Sequence, residues 1–373
     1  MTSQRIGSCL AWALWFTGLA GCQRTTDHST DHADRHLSIY NWSDYIGTTT
    51  IADFEKETGI KVDYDTFDAD STLEAKMLTG ASGYDLVSTS ENFFSRQIKA
   101  GAYRPIDRTQ LILWNNIDPA VLKQLAVYDP GNQYAVPYLH SYNGFAYNVD
   151  MIKKRMPNAP LDSLDMLFKP EVASRFADCG ITFLDSPDNV VQLALVYLHL
   201  DPNSDRPEDF KSAEQLLMKV RPFIRNFDSV EFMNGLANRE LCLSMGWSSD
   251  FGIASKRARD AGIHVNLAFT IPKEGTSNTI NGFLIPIDAP HPKEAHEFLN
   301  YLLRPEVIAK VTNDTRYPNE NPASRAFLNP DILNDPVLYP PPSALIHAFV
   351  PGEINVNSER LRTRLWIRIK TAL

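Results

Sequence analysis

Two short stretches of the chain set aromatic rings beside carboxylates. Trp42-Ser43-Asp44-Tyr45 closes one apolar run, and "GWSSD" places Trp247 three residues ahead of Asp250. Tyr317 in "TRYPNEN" is a third ring in polar company. An ammonium group held over an indole face gains on the order of 0.5–2 kcal/mol, and a charge-assisted hydrogen bond to a carboxylate adds to it. Rings that wall a slot, with carboxylates at its ends, therefore suit an aliphatic amine. Each stretch alone is equally compatible with packing, since a lone Trp is usually core and a lone Asp usually a cap. Their recurrence is what points to a ligand.

Signatures of catalysis are missing. There is no GxSxG ("GASG" is one residue short), no SxxK, no GxxxxGK[ST] and no GxGxxG, and "HEFLN" is not HExxH. No enzyme, cofactor or metal centre is expected. Formal charge is −9, and −10 without residues 1–22, whose only charge is Arg5. Such a surface disfavours nucleic acid and draws in cations.

The elements that must position these residues read as follows. "LSIYNW" predicts a strand, "TTTIADFEKETG" a helix ending on Gly59, and "IKVDYDTF" a second strand. "STLEAKMLTG" predicts a helix opened by a Ser71/Glu74 capping box and closed by Gly80, and "YDLVSTS" a third strand. This β-α-β-α-β order begins an open α/β sheet with ligand positions at its strand ends. "DPGNQYAVPYLHSYNGFAYNVD" predicts an extended crossover into a second lobe. That lobe is built from the helical patterns "LDMLFKPEVASRF", "DNVVQLALVYLHL", "AEQLLMKVRPFIRNF" and "FMNGLANREL", with "GITFLD" and "LCLSMGW" as strands. "HVNLAFTIPKEG" and "TINGFLIPID" return towards the first lobe, before helices in "PKEAHEFLNYLLRPEVIAKVT". Two lobes joined by crossing strands leave a cleft for a small ligand.

The N-terminal stretch carries a different message. "IGSCLAWALWFTGLAG" has signal-peptide length, and "LAGC" is a lipobox that makes Cys22 the lipidated first residue of the mature chain. Gln23 gives no signal for retention at the inner membrane. Residues 23–36 read as a polar tether, in which His28, His32 and His36 recur every four residues. That spacing could hold a transition metal on a helix or simply be a solvated linker. With Cys9 lost and Cys22 lipidated, Cys179 and Cys242 remain in an oxidising compartment. One disulfide is the economical reading, two separate buried thiols the alternative. The sequence predicts lobe one as 37–140 plus about 270–320, and lobe two as 141–269 plus about 321–373.

Against this background a family resemblance becomes plain. "IYNWSDYI", "FEKETGIKVDYDTFD", "LAVYDPGNQYAVPY", "IPKEG", "FLNYLLRPEV" and "RLRTRLWIRIK" resemble the putrescine- and spermidine-binding proteins of bacterial polyamine ABC importers. The resemblance covers nearly everything from Leu37 onward. It implies an α/β, bilobal, type II periplasmic-binding-protein fold that closes over a polyamine. It also implies a periplasmic location and delivery to a separate permease and ATPase. Through it, Trp42, Ser43, Asp44, Ser90, Trp247, Asp250 and Tyr317 form the amine site, and Cys179 and Cys242 form the disulfide.

The chain departs from that pattern at two acids. After "IPKEG" the family carries an aspartate where this chain has Asn281, and a ring where it has Thr279. In "FLDSPDNV" a glutamate is usual where Asn189 stands, with Asp188 beside it. Losing one partner of a buried charge pair costs about 2–5 kcal/mol, so Asp44 and Asp250 are the counter-charges left for a dication. Two readings follow: a polyamine held in a rearranged site, or a monoamine or ω-amino acid whose other end meets Asn281. Sensing of an amine through a signalling partner would use the same cleft. A monomer is expected.

Overall fold

The computed structural model describes residues 35–353 and 355–372. The predicted signal peptide, the expected lipidation site Cys22, most of the predicted tether, His28 and His32 lie outside them. His36 is described, and it belongs not to a tether but to the first strand, where it pairs with Lys61. No helix of the described residues is long and apolar enough to cross a membrane.

Ten strands form a connected sheet system. They are β1 (His36–Trp42), β2 (Lys61–Phe67), β3 (Leu86–Ser90), β4 (Val136–Asn148), β5 (Ile181–Phe183), β6 (Asn226–Phe227), β7 (Leu243–Trp247), β8 (Leu267–Thr270), β9 (Thr276–Leu284) and β10 (Ala348–Phe349). The order is β2-β1-β3-β9-β4-β7-β5-β6, with β8 on β4 and β10 on β9. β1 alternates its burial between two faces. Leu37 and Ile39 enter one cluster with Phe54, Phe298 and Val311, whereas Tyr40 enters another with Leu73, Phe94 and Leu284. A sheet covered on both faces by helices is what a βαβ run produces.

A third and larger cluster, around Phe145, Phe168, Phe183 and Leu243, forms a separate core. β4 links the two regions. Its first half runs antiparallel to β9, and its second half lies between β7 and β8. At that second half, a side chain on Gly144 would meet the Thr270 carbonyl oxygen at 2.2 Å, so only glycine lets the strands close up. β9 is shared in the same way, pairing with β3 as well as β4. Both crossing segments are therefore continuous strands, as the sequence predicts.

Four expectations need correction. The helix predicted over Ala213–Phe227 ends at Val220, ahead of Pro222, and Asn226–Phe227 form β6. The stretch Leu164–Phe176 breaks into short helices at Asp165–Phe168 and Pro170–Ala173, because Pro170 cannot donate the next helical hydrogen bond. The helix Asp70–Leu78 starts one residue before the predicted Ser71 cap and has no side-chain cap. Glu74 instead pairs with Arg96. Beyond residue 321, Leu328, Ile332 and Leu338 pack on Ala309, so this segment sides with the helix Pro305–Thr315 of the first region.

Cys179 and Cys242 form a disulfide with a Cα–Cα distance of 5.6 Å, inside the usual range. It sits where β5 meets β7, whose register pairs Ile181 with Leu243. Trp247 emerges from the far end of β7, so the bridge fixes the root of a cleft residue. It closes a separation of 63 residues, worth roughly 4 kcal/mol in the chain-entropy model. Changing both cysteines to alanine should lower stability by about that much, read as a reduced chemical-unfolding midpoint.

Candidate functional site

Between the two regions lies a cleft of about 1000 Å³ counted to its mouth. All nine residues singled out from the sequence line it: Trp42, Ser43, Asp44, Ser90, Asn189, Trp247, Asp250, Asn281 and Tyr317. Three of its corners are strand ends that turn into loops or helices: β1 at Trp42, β3 at Ser90 and β7 at Trp247. Carboxyl ends of strands are where open α/β sheets place ligands.

One wall is held by side chains alone. The Trp42 ring packs on Phe67 with centroids 4.4 Å apart, and its Nε1 donates to Asn281 Oδ1 at 3.1 Å. Asn281 Nδ2 donates to the Tyr45 hydroxyl at 3.0 Å. Tyr45 meets Tyr317 edge-on, and the Tyr317 hydroxyl donates to Asp250 Oδ1. Asn281 therefore has both its polar atoms occupied in bracing rings. Asn189 is similar, donating to Ser186 at 2.8 Å and accepting from Asn143 at 2.9 Å. Both asparagines are structural braces.

The carboxylates divide into distinct states. Asp44 has a left-handed backbone, with φ +56°. Its carboxylate accepts from Arg257 Nη2 at 2.7 Å, and Arg257 also donates to Asn234 at 2.8 Å. Asp44, one of the two counter-charges expected for a dication, lines the cleft and is paired here with a guanidinium from the helix Ser248–Asp260. Asp188 is engaged likewise by the buried Arg362 at 2.8 Å. Asp250 is different: it is 5% exposed, and among the described residues no basic side chain forms an ion pair with it. Burial pushes its carboxyl up to about 7; the Tyr317 donor works against that rise, the Asp44 charge adds to it, and the Arg257 charge, not in contact, offsets part of it.

Sequence reasoning quoted Tyr45 without assigning it to the site, and missed other lining residues, including Asp70, Phe93, Gln192 and Met233. Tyr45 and Phe93 carried a usable signal, each standing within three residues of a residue already singled out. Asp70 was hidden by the capping-box reading of Ser71.

A raised carboxyl has a defined effect on stability. Unfolded Asp250 ionises near pH 4, whereas the folded protein holds its proton until about 7. The folded state therefore binds more protons between those values, and this residue's contribution to stability falls as pH rises through them. Asp250→Asn removes that loss. The variant should unfold at higher denaturant than wild type at pH 8, by on the order of a few kcal/mol, with the gap closing near pH 4.

Comparison with known proteins fits this geometry. A family model described as bacterial extracellular solute-binding protein matches residues 49–340. The putrescine-binding periplasmic protein PotF of Escherichia coli (strain K12) is 42% identical over 96% of this chain and 98% of its own. The putrescine-binding periplasmic protein SpuD of Pseudomonas aeruginosa (strain UCBPP-PA14) is 38% identical over 99% of both. Among solved structures, the spermidine/putrescine ABC transporter substrate-binding protein PotD of Streptococcus pneumoniae superposes with a TM-score of 0.75 at 24% identity, over 90% of this chain and 98% of that one. Its likeness bears on the fold, which is bilobal and of the periplasmic-binding-protein type. The chain belongs to the bacterial extracellular solute-binding protein family, and it is a binding protein rather than an enzyme.

Proposed function

We propose that this protein captures a polyamine of the putrescine class in the cleft and hands it to the permease and ATPase of an ABC importer. The observation that carries the reading is Asp250, a buried carboxylate that accepts from a tyrosine hydroxyl and, among the described residues, forms no ion pair, in a cleft walled by Trp42 and Trp247. An isolated buried charge is costly, and an ammonium ligand removes that cost. The names of the relatives support the same substrate class.

Lobe one then comprises 37–140 with about 270–338, and lobe two 141–269 with about 339–373. On this reading the protein is a periplasmic monomer, cleaved before Cys22 and anchored through a lipid there. Cys22→Ser should shift it from the membrane fraction to the soluble periplasmic fraction, and an unchanged distribution would remove the anchor from the account.

Isothermal titration of the full chain with putrescine should give saturable one-to-one binding. Asp250→Asn should weaken it by about 30-fold or more. Absence of binding to both putrescine and spermidine would overturn the proposal.

A further inference from the structure

Five carboxylates line the cleft: Asp44, Asp68, Asp70, Asp188 and Asp250. Arginines neutralise Asp44 and Asp188, and Asp68 is exposed. Asp70 and Asp250 are left, and among the described residues neither has an ion-pair partner.

Asp70 is not an incidental surface acid. It opens the helix Asp70–Leu78, and its two oxygens accept from Thr89 Oγ1 at 2.7 Å and from Ser90 Oγ at 3.0 Å. Thr89 and Ser90 are themselves buried, so the carboxylate is held by a built cradle at the end of β3. Its surface reaches the cleft, yet the surrounding protein desolvates it enough to push the carboxyl up to about 6, with the Asp188 charge contributing. Ser90 stands directly opposite Asn281 in the β3–β9 register. Through the Ser90 hydroxyl, Asp70 is therefore tied to the strand pair that carries Asn281 into the cleft.

We infer that Asp70 supplies the second ammonium subsite, facing Asp250 from the other lobe, so that the cleft selects a molecule cationic at both ends. This rests on the proposed amine-binding function and adds which residue reads the far end. Asn281, braced between Trp42 and Tyr45, has no part in that charge pairing. A monoamine would satisfy one acid and leave the other without a counter-charge, and a site built for a polar partner rejects the analogue lacking it by large factors.

The experiment compares putrescine with n-butylamine on the full-length protein and on Asp70→Asn. Asparagine keeps the side chain's size, and its oxygen can accept from Thr89 while its amide donates to the Ser90 oxygen, so the fold should survive, checked by thermal melting. Wild type should prefer putrescine by about 30-fold or more. In Asp70→Asn that preference should collapse because putrescine weakens, while butylamine affinity stays within about threefold. A variant that keeps the preference, or one in which both ligands weaken equally, overturns the assignment and leaves the amine-binding function standing. Failure of wild type to bind either amine would instead overturn that function, and this assignment with it.

Discussion

Carboxylates stripped of water and given no counter-cation are the constraint around which the cleft is organised. Taking such a group out of water costs several kcal/mol even after the protein relaxes. Asp250 is buried and Asp70 partly so, and each is raised well above the ordinary carboxyl range mainly by desolvation. The surrounding side chains answer with hydroxyls: Tyr317 for one, Thr89 and Ser90 for the other. Hydroxyl donors temper the penalty without cancelling the charge, whereas an arginine would cancel it and leave nothing for a cation to do.

The arginines present are used elsewhere. Arg257 reaches Asp44, joining the loop after β1 to the helix Ser248–Asp260. Asp44 is about half exposed, and ion pairs in such settings contribute little. It is a contact between the lobes that opens at small cost. Arg362 is almost fully buried against Asp188 and instead ties the C-terminal helix Val356–Thr371 to the helix Pro187–Tyr197. The backbone joins the lobes through β4 and β9, which remain strands throughout the crossing. Their shared ladder confines relative motion to bending and twisting of paired strands.

Much of this was legible locally. The rings and acid at the end of β1, the Trp247–Asp250 pair and the extended crossover are all written in contiguous residues, because strand ends and turn chemistry are local properties. Counting cysteines made one disulfide the economical reading and left two buried thiols open; the family resemblance implied the Cys179–Cys242 pairing that the structure contains. The state of each carboxylate was not legible. Arg257 lies 213 positions from Asp44, and Arg362 lies 174 from Asp188; no spacing rule joins residues so far apart. Asp70 shows a subtler failure. Ser71 and Glu74 match the pattern of a helix cap, but Glu74 is drawn off by Arg96 from the neighbouring helix. The helix then begins a residue early, and the acid the pattern had passed over is the one presented to the cleft.

The two unpaired acids are rooted in different hydrophobic cores. Leu73 and Met77 fasten the helix carrying Asp70 into one, and Ala254 fastens the helix carrying Asp250 into the other. Each end of the slot is consequently a separate heritable unit. A substitution that reshapes one end leaves the packing beneath the other intact, and sites without shared partners combine nearly additively. Lineages built on this fold can thus exchange the length or terminal chemistry of their ligand one end at a time, each intermediate remaining a folded protein on which selection can act.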